Sequence, residues 1–517
     1  MKYTVKDIFG EGISSLILNN NLEEPSIVAF HNSDIAMNIL HHAITHNSYI
    51  LVHCDVDMDG ISSGYVIGKY LRSICGRDSI KFAINGGKEH GISQRQVDYF
   101  NKSGARLIII VDSASNDIEY IKKINCDVIV LDHHVIEVHK EELVGETIGG
   151  MYCVVNNTMP YEELETQKAG TNLSGCGVVW EFIRQVNSVH SFNRDLRTLG
   201  AEQWVGVSIF CDSINTLNYR NQYYINRMMY NEKTEDNLLA IMKSLNISSI
   251  DKGRISYSIA NVLNATVRAG RSIEALNCVL NKPQEFGNLL EYKKVQDEYL
   301  STDFECDIFD TFVTLNLETI EIPREYSGVI AAKLVSRHNK NAFVYYRDER
   351  SIKGSFRGLG DLIDYRNACN SYGGSIRASG HKTAFGLSGD SIEEIIGALN
   401  KAGEEQEIGE SNVVYASVNG NAYKGIIEIG MLQRSEEIFR IASANGKLVS
   451  NDEIKIVYCG KPLLRETRGK AFIYDINGIE CVGFEEIDNE REGEVVVYVE
   501  STLKTGFKAY ISKTYHN

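Results

Sequence analysis

Three short apolar runs, each followed at once by an aspartate, constrain the fold of this chain most strongly. The runs cover residues 50–54, 107–111 and 128–131, and helical patterns near 61–75 and 92–103 separate them. Strands that alternate with helices predict a parallel sheet with helices on both faces. Because ligand sites in such sheets lie at the carboxyl ends of the strands, we expect the three aspartates to converge.

The first run leads into Asp55, Asp57 and Asp59, which occupy alternate positions. In an extended chain such residues face one side together, with His53 on the same side behind them. Three carboxylates on one face repel one another unless a cation neutralises them, and Mg²⁺ or Mn²⁺ suits oxygen and imidazole ligands. An acidic loop that caps a helix starting near Ser62 would explain the same residues without a metal.

Further aspartates and two histidines follow the other apolar segments. They are Asp112 after the second run, Asp132-His133-His134 after the third, and Asp212 after the run Val205–Phe210, which we expect to be another strand. A pair of divalent ions ~3.5–4 Å apart needs about five or six such ligands, and these segments together offer that set. The alternative for the histidine pair is a strand-end turn with hydrogen-bonded imidazoles.

Length and composition describe an ordinary globular protein of several domains. The 517 residues are 43% hydrophobic and 24% charged, which favours about three domains. The net charge of −16 opposes non-specific adhesion to nucleic acid. The 11 cysteines are scattered, and neither a secretion signal nor a membrane-spanning apolar run is visible. We therefore expect reduced cysteines and a cytoplasmic location.

Changes of pattern along the chain predict five segments. They are an N-terminal extension (1–48), a parallel-sheet α/β catalytic domain (49–272), a connecting helical segment (273–304), a second α/β domain (305–400) and a β-rich module (411–517). The extension carries a helix around Ser33–His46, and the second domain carries a helix at Gly328–His338 and a strand at Ala342–Tyr346. Short β-type runs, from Val413–Val418 onward, favour a small all-β module of the OB type.

The order Asp55-x-Asp57-x-Asp59-Gly60, Asp112, Asp132-His133-His134 and Asp212 resembles the DHH phosphoesterase superfamily. The details are most similar to its RecJ branch of single-strand exonucleases. Further segments that match this branch are Val155–Asn157, Ser174–Gly177, Asn264–Gly270, Gly328–Leu334, Gly354–Arg357 and Gly380-His381. The chain departs from the family where Ala378-Ser379 replaces two glycines before Gly380-His381.

The resemblance implies a metal-dependent phosphodiesterase that degrades single-stranded nucleic acid, with DNA favoured, and recognises the 5′ end. It implies two divalent cations, Mn²⁺ before Mg²⁺, held by Asp55, Asp57, Asp59, Asp112, His133 and Asp212, with Asp112 and Asp212 as the best candidates for bridging. His134 would face the scissile phosphate, and Asp132 would orient a neighbouring imidazole. The implied substrate contacts are Asn264, Arg268, Ser355, Arg357, Gly380 and His381.

Two other functions remain open from the sequence. An enzyme of the same fold could act on very short RNA or cyclic dinucleotides, which the acidic charge favours mildly. A catalytically inactive scaffold would have lost ligands, and the complete Asp and His set argues against it. The long chain and the β-rich module favour a polymer as the substrate.

Overall fold

The computed structural model describes most of the chain up to residue 404 and a set of strands beyond it. The described ranges are 22–87, 90–158, 172–190, 192, 194–212, 214, 219–230, 233–248, 250, 254–338, 340–348, 351–358, 364–380, 382–404, 456–460, 463–468, 471–476, 479–483, 493–502 and 506–515. Described residues up to Tyr292 form one compact unit, and most of those from Lys293 onward form a second. This division lies within the predicted connecting segment, and the five-segment organisation stays a prediction.

The first unit is built on a six-stranded sheet. Its strands are β1 (Ile50–Cys54), β2 (Ile80–Ile84), β3 (Leu107–Val111), β4 (Asp127–Asp132), β5 (Val144–Glu146) and β6 (Met151–Asn156). The strand order is β2-β1-β3-β4-β6-β5, and every pair is parallel except β5 with β6. Every residue of β1 and β3 is buried, because helices cover both faces of a parallel sheet.

Helices surround this sheet. They are α1 (Ser33–Thr45), α2 (Met58–Cys75), α3 (Gln94–Ser103), α4 (Ile118–Ile121), α5 (Gly175–Val189), α6 (Leu196–Leu199), α7 (Gln203–Cys211), α8 (Tyr219–Tyr230), α9 (Asp236–Ser244), a π-helix (Arg254–Ala260), α10 (Asn261–Arg268), α11 (Ser272–Leu280) and a 3-10 helix (Pro283–Leu289). One face packs against α3 and α4 around Phe100 and Ile121. Helices α1, α2 and α5 also contact the central strands. The predicted parallel α/β architecture is confirmed.

The prediction of a strand at Val205–Phe210 is wrong. These residues belong to α7, and Asp212 is the residue that ends this helix, donating its backbone N–H to Ser208 O at 3.0 Å. Every residue from Gln203 to Phe210 is buried, so the helix has no polar stripe that would have revealed its period. A short apolar run of this kind cannot be assigned to helix or strand by periodicity alone.

The second unit contains another six-stranded sheet. Its strands are β7 (Asp307–Ile308), β8 (Phe312–Asn316), β9 (Asn341–Asp348), β10 (Ser351–Arg357), β11 (Arg377–Gly380) and β12 (Ala384–Gly389), in the order β11-β12-β10-β9-β8-β7. Its helices are α12 (Leu290–Ser301), in which the boundary between the units lies, α13 (Ser327–His338), α14 (Tyr365–Tyr372) and α15 (Ile392–Glu404). Helix α13 packs on β9 and β10, and α15 contacts β12. The predicted helix at Gly328–His338 and strand at Ala342–Tyr346 are confirmed.

The C-terminal strands form a third sheet. They are β13 (Ile456–Gly460), β14 (Leu463–Arg468), β15 (Ala471–Ile476), β16 (Ile479–Gly483), β17 (Gly493–Thr502) and β18 (Gly506–Tyr515). The order is β13-β17-β18-β16-β15-β14, with β16 and β18 pairing in parallel and β14, β15 and β16 in antiparallel fashion. The predicted C-terminal β-rich character is confirmed for these strands, whereas Val413–Val418 lies outside the described residues and the OB type stays a prediction.

Two features of the described residues bear on the sequence-based expectations. The nine cysteines whose side chains are described are all free thiols. Within the same part of the chain, no helix combines the length and the apolar character that crossing a membrane requires.

A buried carboxylate joins three parts of the first unit. Glu181 on α5 accepts hydrogen bonds from Arg220 Nη1 at 2.6 Å, from Tyr224 Oη at 2.5 Å and from the Val28 backbone N–H at 3.2 Å. Arg184 contacts the same carboxylate at 2.9 Å. Glu181 is fully buried, so these charge-assisted bonds hold the segment before α1 against α5 and α8.

We expect Glu181→Ala to lower the free energy of unfolding by about 3–5 kcal/mol, because it leaves buried guanidinium groups without their carboxylate. Urea denaturation monitored by circular dichroism measures the loss. Glu119→Ala is the matched control, because that carboxylate is exposed and pairs with Lys122 on the surface. Equal midpoints for the two variants would show that the Glu181 network contributes nothing to stability.

Candidate metal centre

The loops that carry the aspartates leave the first sheet at one edge. Strands β1, β3 and β4 are neighbours and run in parallel, so their carboxyl ends lie side by side. The backbone N–H of Asp55 donates to Val111 O at 3.3 Å, and that of Asp112 donates to Leu131 O at 2.8 Å. These bonds link the start of each loop to the end of the adjacent strand. The convergence that parallel strands predict is therefore observed.

The first loop differs from the extended chain that the alternating aspartates suggested. Helix α2 begins at Met58, and Asp57 is its N-cap, with Oδ1 accepting the Gly60 N–H at 3.0 Å. The alternative of a helix-capping loop is thus correct for Asp57, although the helix begins four residues before Ser62. A Cβ at Gly60 would lie 2.6 Å from Asp55 Cβ, so the tight turn that brings these aspartates together needs glycine there.

Asp59 lies in the first turn of α2 and points at the start of α5. Its Oδ2 accepts the Gly175 N–H and its Oδ1 the Cys176 N–H, both at 2.8 Å, and Ser208 Oγ donates to Oδ1 at 2.7 Å. Helix N-termini favour negative charge, which explains how this carboxylate is held in a buried place. Burial nevertheless raises the pKa of Asp59 to about 7, and the charge of Asp57 adds to the effect.

Asp112 adopts an unusual backbone conformation. Its φ is 65°, and that of Ala114 is 74°, so two non-glycine residues of one loop lie in the left-handed region. Such conformations cost free energy and concentrate at functional sites. A Cβ at Gly175 would lie 2.2 Å from Asp112 Oδ1, so only glycine leaves room for this carboxylate. Burial and the neighbouring aspartates, Asp59 first, raise the pKa of Asp112 well above its ordinary value.

His133 lies among three of these carboxylates. Its Nε2 is 3.3 Å from Asp112 Oδ1, 3.5 Å from Asp212 Oδ2 and 3.9 Å from Asp59 Oδ2. Burial, followed by the charge of Asp59, raises the pKa of Asp212 well above its ordinary value. Asp212 thus reaches the cluster from the end of a helix rather than from a strand.

Asp132 turns toward the second histidine. Its Oδ1 accepts the backbone N–H of His133 at 2.7 Å and lies 2.8 Å from His134 Nδ1, while Oδ2 accepts the Ser115 N–H at 3.1 Å. Burial alone would raise the pKa of Asp132, but His134, His133 and the hydrogen bond from Ser115 together lower it. Burial alone would lower the pKa of His134, but the Asp132 carboxylate outweighs it and raises that pKa to about 10.

Six of these side chains and His134 offer ligand atoms in three overlapping groups, each with its atoms within 4.8 Å of one another. The groups are Asp55, Asp57 and Asp112; Asp59, His133 and Asp212; and Asp112, His133 and His134. Asp112 and His133 each belong to two groups, so the three form one continuous cluster. Buried carboxylates that raise one another's pKa are an arrangement that bound cations would relieve.

The other residues singled out in the sequence lie elsewhere. His53 packs edge-on against Phe100 with ring centroids 5.2 Å apart, and burial lowers its pKa to about 4. It was expected behind the aspartates, but its ring lies on the α3 side of the sheet. The residues proposed for substrate binding are divided between the two units. Asn264 and Arg268 lie on α10 in the first unit. In the second unit, Ser355 and Arg357 lie on β10, and Gly380 lies on β11. His381 lies outside the described residues.

Two side chains at the centre were not found from the sequence. His90 Nδ1 lies 2.6 Å from Asp55 Oδ2, and Ser208 donates to Asp59. His90 follows β2, a strand that was not among those predicted from the sequence, and the parallel pairing of β1 with β2 brings this segment beside Asp55. Ser208 precedes Asp212 by four residues, and this spacing becomes a signal only once α7 is known to be helical.

Comparisons with known proteins agree with this arrangement. The DHH family, N-terminal domain, matches residues 47–201. A Bacillus subtilis (strain 168) protein with the provisional name of SPbeta prophage-derived single-strand DNA-specific exonuclease YorK is 26% identical over 276 residues, 51% of this chain and 43% of that protein. The single-stranded-DNA-specific exonuclease RecJ of Salmonella typhimurium is 29% identical over 152 residues, 28% of this chain and 24% of RecJ. The chain therefore spans less than half the length of either relative.

Solved structures extend the likeness to the whole fold. RecJ of Thermus thermophilus, crystallised with Mn²⁺, superposes with a TM-score of 0.69 at 15% identity, over 100% of this chain and 79% of RecJ. The same protein with Mg²⁺ gives a TM-score of 0.64 at 14% identity, over 100% of this chain and 78% of RecJ. Residues 47–201 thus match the DHH family, N-terminal domain, and the fold of the chain is similar to that of RecJ.

Proposed function

We propose that this chain is a metal-dependent phosphodiesterase that degrades single-stranded nucleic acid, DNA in preference, from the 5′ end. The observation that carries the proposal is the cluster of five aspartates and His133 at the carboxyl edge of the first sheet. Relatives named as single-strand DNA-specific exonucleases support the same activity. A scaffold without activity has no need to keep so many buried carboxylates together, because their repulsion destabilises the fold.

The residues of the cluster fit divalent cations. Asp55 Oδ1 is buried and accepts no hydrogen bond within the described part of the chain, and the pKa of both Asp112 and Asp212 is raised by burial and by neighbouring carboxylates. Asp55, Asp57 and Asp112 would hold one cation, and Asp59, His133 and Asp212 a second, with Asp112 near both groups. Carboxylate and imidazole donors suit Mn²⁺ or Mg²⁺. When bound, such ions activate water and neutralise the charge that develops on the phosphate.

His134 would act on the phosphate directly. The Asp132 carboxylate lies 2.8 Å from Nδ1 and raises the pKa of His134, which favours the protonated imidazole. The Nε2–H would donate to a phosphate oxygen and so stabilise negative charge in the transition state. Asn156 steadies this loop, because its Nδ2 donates to Ser115 Oγ and to His134 O, both at 2.9 Å.

Three neighbouring groups of the second unit suit a terminal phosphate. Arg357 and Ser355 lie two apart on β10, and a Cβ at Gly328 would lie 2.8 Å from Arg357 Nη2. Ser355 Oγ and Ser327 Oγ are 2.9 Å apart. A guanidinium beside two hydroxyls and the first turn of α13 is a favourable environment for a phosphate, which supports 5′-end recognition by this unit.

We expect the protein without cations to lose stability as pH rises from about 4 to about 7. The pKa of Asp59 is raised from 3.8 to about 7 in the folded state, so over that range the folded protein binds protons that the unfolded chain releases. Added Mn²⁺ should therefore raise the melting temperature more at pH 8 than at pH 5, with about 2.7 kcal/mol of stabilisation at 100 times its Kd. Differential scanning calorimetry with and without a chelator measures both effects. A Mn²⁺ shift that is the same at both pH values would argue against binding at the carboxylates.

We expect Asp112→Asn to slow hydrolysis of single-stranded DNA by roughly 100-fold or more, because it removes a ligand charge while keeping side-chain shape. Asparagine tolerates positive φ, so the fold should survive. The measurement is release of nucleotides from end-labelled single-stranded DNA, single-stranded RNA and dinucleotides with Mn²⁺ present.

The control is Asp78→Asn, an exposed change just before β2 at the opposite edge of the sheet. Near-normal turnover by Asp112→Asn would refute the metal centre. If dinucleotides are hydrolysed far faster than long strands, the protein is an enzyme for small substrates and not an exonuclease. If the protein binds single strands but hydrolyses none of them, whichever cation is supplied, the inactive scaffold becomes the favoured function.

A further inference from the structure

A cavity of about 580 Å³ opens in the first unit, at a place that the metal centre does not use. Its floor is the end of β2 and the residues that follow, Ile84, Asn85 and Gly86. One wall is the start of α11 around Arg271 and Ile273. The volume lies within the range of pockets that bind small organic ligands, which run from about 300 to 1,000 Å³.

The cavity lies one strand away from the metal centre. In the parallel pairing of β1 with β2, Cys54 is opposite Ile84. Asp55 and Asn85 are therefore the next residues of adjacent chains at the same edge. Hydrogen bonds hold the Asn85 side chain, because its Nδ2 donates to Gly91 O at 2.7 Å and its Oδ1 accepts from Gln96 Nε2 at 2.8 Å. The floor between the two sites is thus fixed by buried hydrogen bonds.

Three basic and two acidic side chains line the cavity. Lys282 pairs with Glu285 at 3.1 Å, and Glu274 accepts a hydrogen bond from Tyr292 Oη at 3.0 Å. The guanidinium groups of Arg95 and Arg271 form no ion pair or hydrogen bond within the described ranges. Glu274 keeps its charge, because a tyrosine donor is neutral, so the lining carries a net charge of +1, and that excess is on the arginine side of the cavity.

Two further features suit a nucleotide rather than a simple anion. Arg271 is the N-cap of α11 but makes no side-chain cap bond, so this helix presents its positive end beside the guanidinium. Ile273 is 70% exposed, which is unusual for a large apolar side chain at a charged site. Guanidinium groups, a helix N-terminus and an apolar face together match a phosphate with its attached sugar and base.

We propose that this cavity binds a nucleotide of the single strand that lies outside the metal centre, with Arg95 and Arg271 contacting backbone phosphates. The nucleic-acid strand runs from the metal centre past the carboxyl end of β2 to the cavity. There Ile273 packs against a sugar or a base. This proposal rests on the proposed function, since it requires a nucleic-acid strand as the substrate. Contacts of this kind are independent of sequence, and they let a chain with a charge of −16 hold a polyanion through a local basic site.

The test is the affinity of the full chain for a labelled 12-nucleotide single strand. Every protein compared in this binding test carries Asp112→Asn, so that the nucleic acid is not degraded, and binding is followed by fluorescence anisotropy. Arg95→Ala with Arg271→Ala should raise Kd by roughly 30-fold or more, because each lost charge-assisted contact is worth about tenfold when well ordered. The plot of log Kd against log salt should become shallower by about 1.4, which corresponds to two phosphate contacts fewer.

Arg77→Ala is the matched control. Arg77 is an exposed arginine just before β2, at the opposite end of the strand that floors the cavity. It should leave both Kd and the salt slope unchanged. Charge-keeping Arg95→Lys with Arg271→Lys should recover part of the affinity. In chains that keep Asp112, the alanine pair should raise KM on the 12-nucleotide strand more than it lowers kcat.

The outcomes separate the two proposals. An alanine pair that binds like the Arg77 control, in a protein that still cleaves strands, would overturn the cavity and leave the proposed function intact. Equal losses from the pair and from Arg77→Ala would show a general charge effect and would also overturn the cavity. A chain that retains Asp112 but neither binds nor cleaves single strands would overturn both. In a further outcome, a free mononucleotide binds saturably without being displaced by a single strand. That result would make the cavity a separate nucleotide site and would overturn the proposal that it binds the substrate strand.

Discussion

Repulsion between buried carboxylates is the constraint on which the rest of the first unit depends. Five aspartates meet at one edge of the sheet, and burial together with their mutual charge raises the pKa of Asp59, Asp112 and Asp212. A fold can hold such a cluster only if strong local interactions oppose the repulsion. The surrounding structure supplies them through backbone N–H groups, close glycines and the helix start that Asp59 faces.

The supports come from segments far apart in the chain. The N–H groups of Gly175 and Cys176 hold Asp59, and Ser208 adds a third donor from α7. The missing side chain of Gly175 also gives Asp112 its room. The left-handed backbone at Asp112 has a free-energy cost that these contacts must outweigh. The cluster is therefore assembled by α2, α5 and α7 acting together on the edge of the sheet.

In the proposed function, the same edge links the chemistry to the substrate. The loops after β1, β3 and β4 carry the candidate metal ligands, and the next strand along, β2, borders the cavity that Arg95 and Arg271 line. A nucleic-acid strand that follows this edge would pass the carboxylates of the metal ligands first and the guanidinium groups of the cavity next. Local placement of positive charge thus matters more for such a protein than its acidic total.

Much of the architecture could be predicted because it follows from local pattern. Apolar runs of four or five residues that are followed by aspartate specify buried parallel strands, and parallel strands bring their carboxyl ends together whatever lies between them. The sequence by itself therefore determined the parallel sheet, the convergence of Asp55, Asp112 and Asp132, and the small-residue start of α5. It could not assign Val205–Phe210, since a helix buried on every side has no polar stripe to mark its period. Nor could it find His90, which reaches Asp55 across 35 positions of sequence through a strand pairing. Those positions, the capping role of Asp57 and the cavity beside β2 were decided only by the tertiary structure, because each depends on which distant segments pack together.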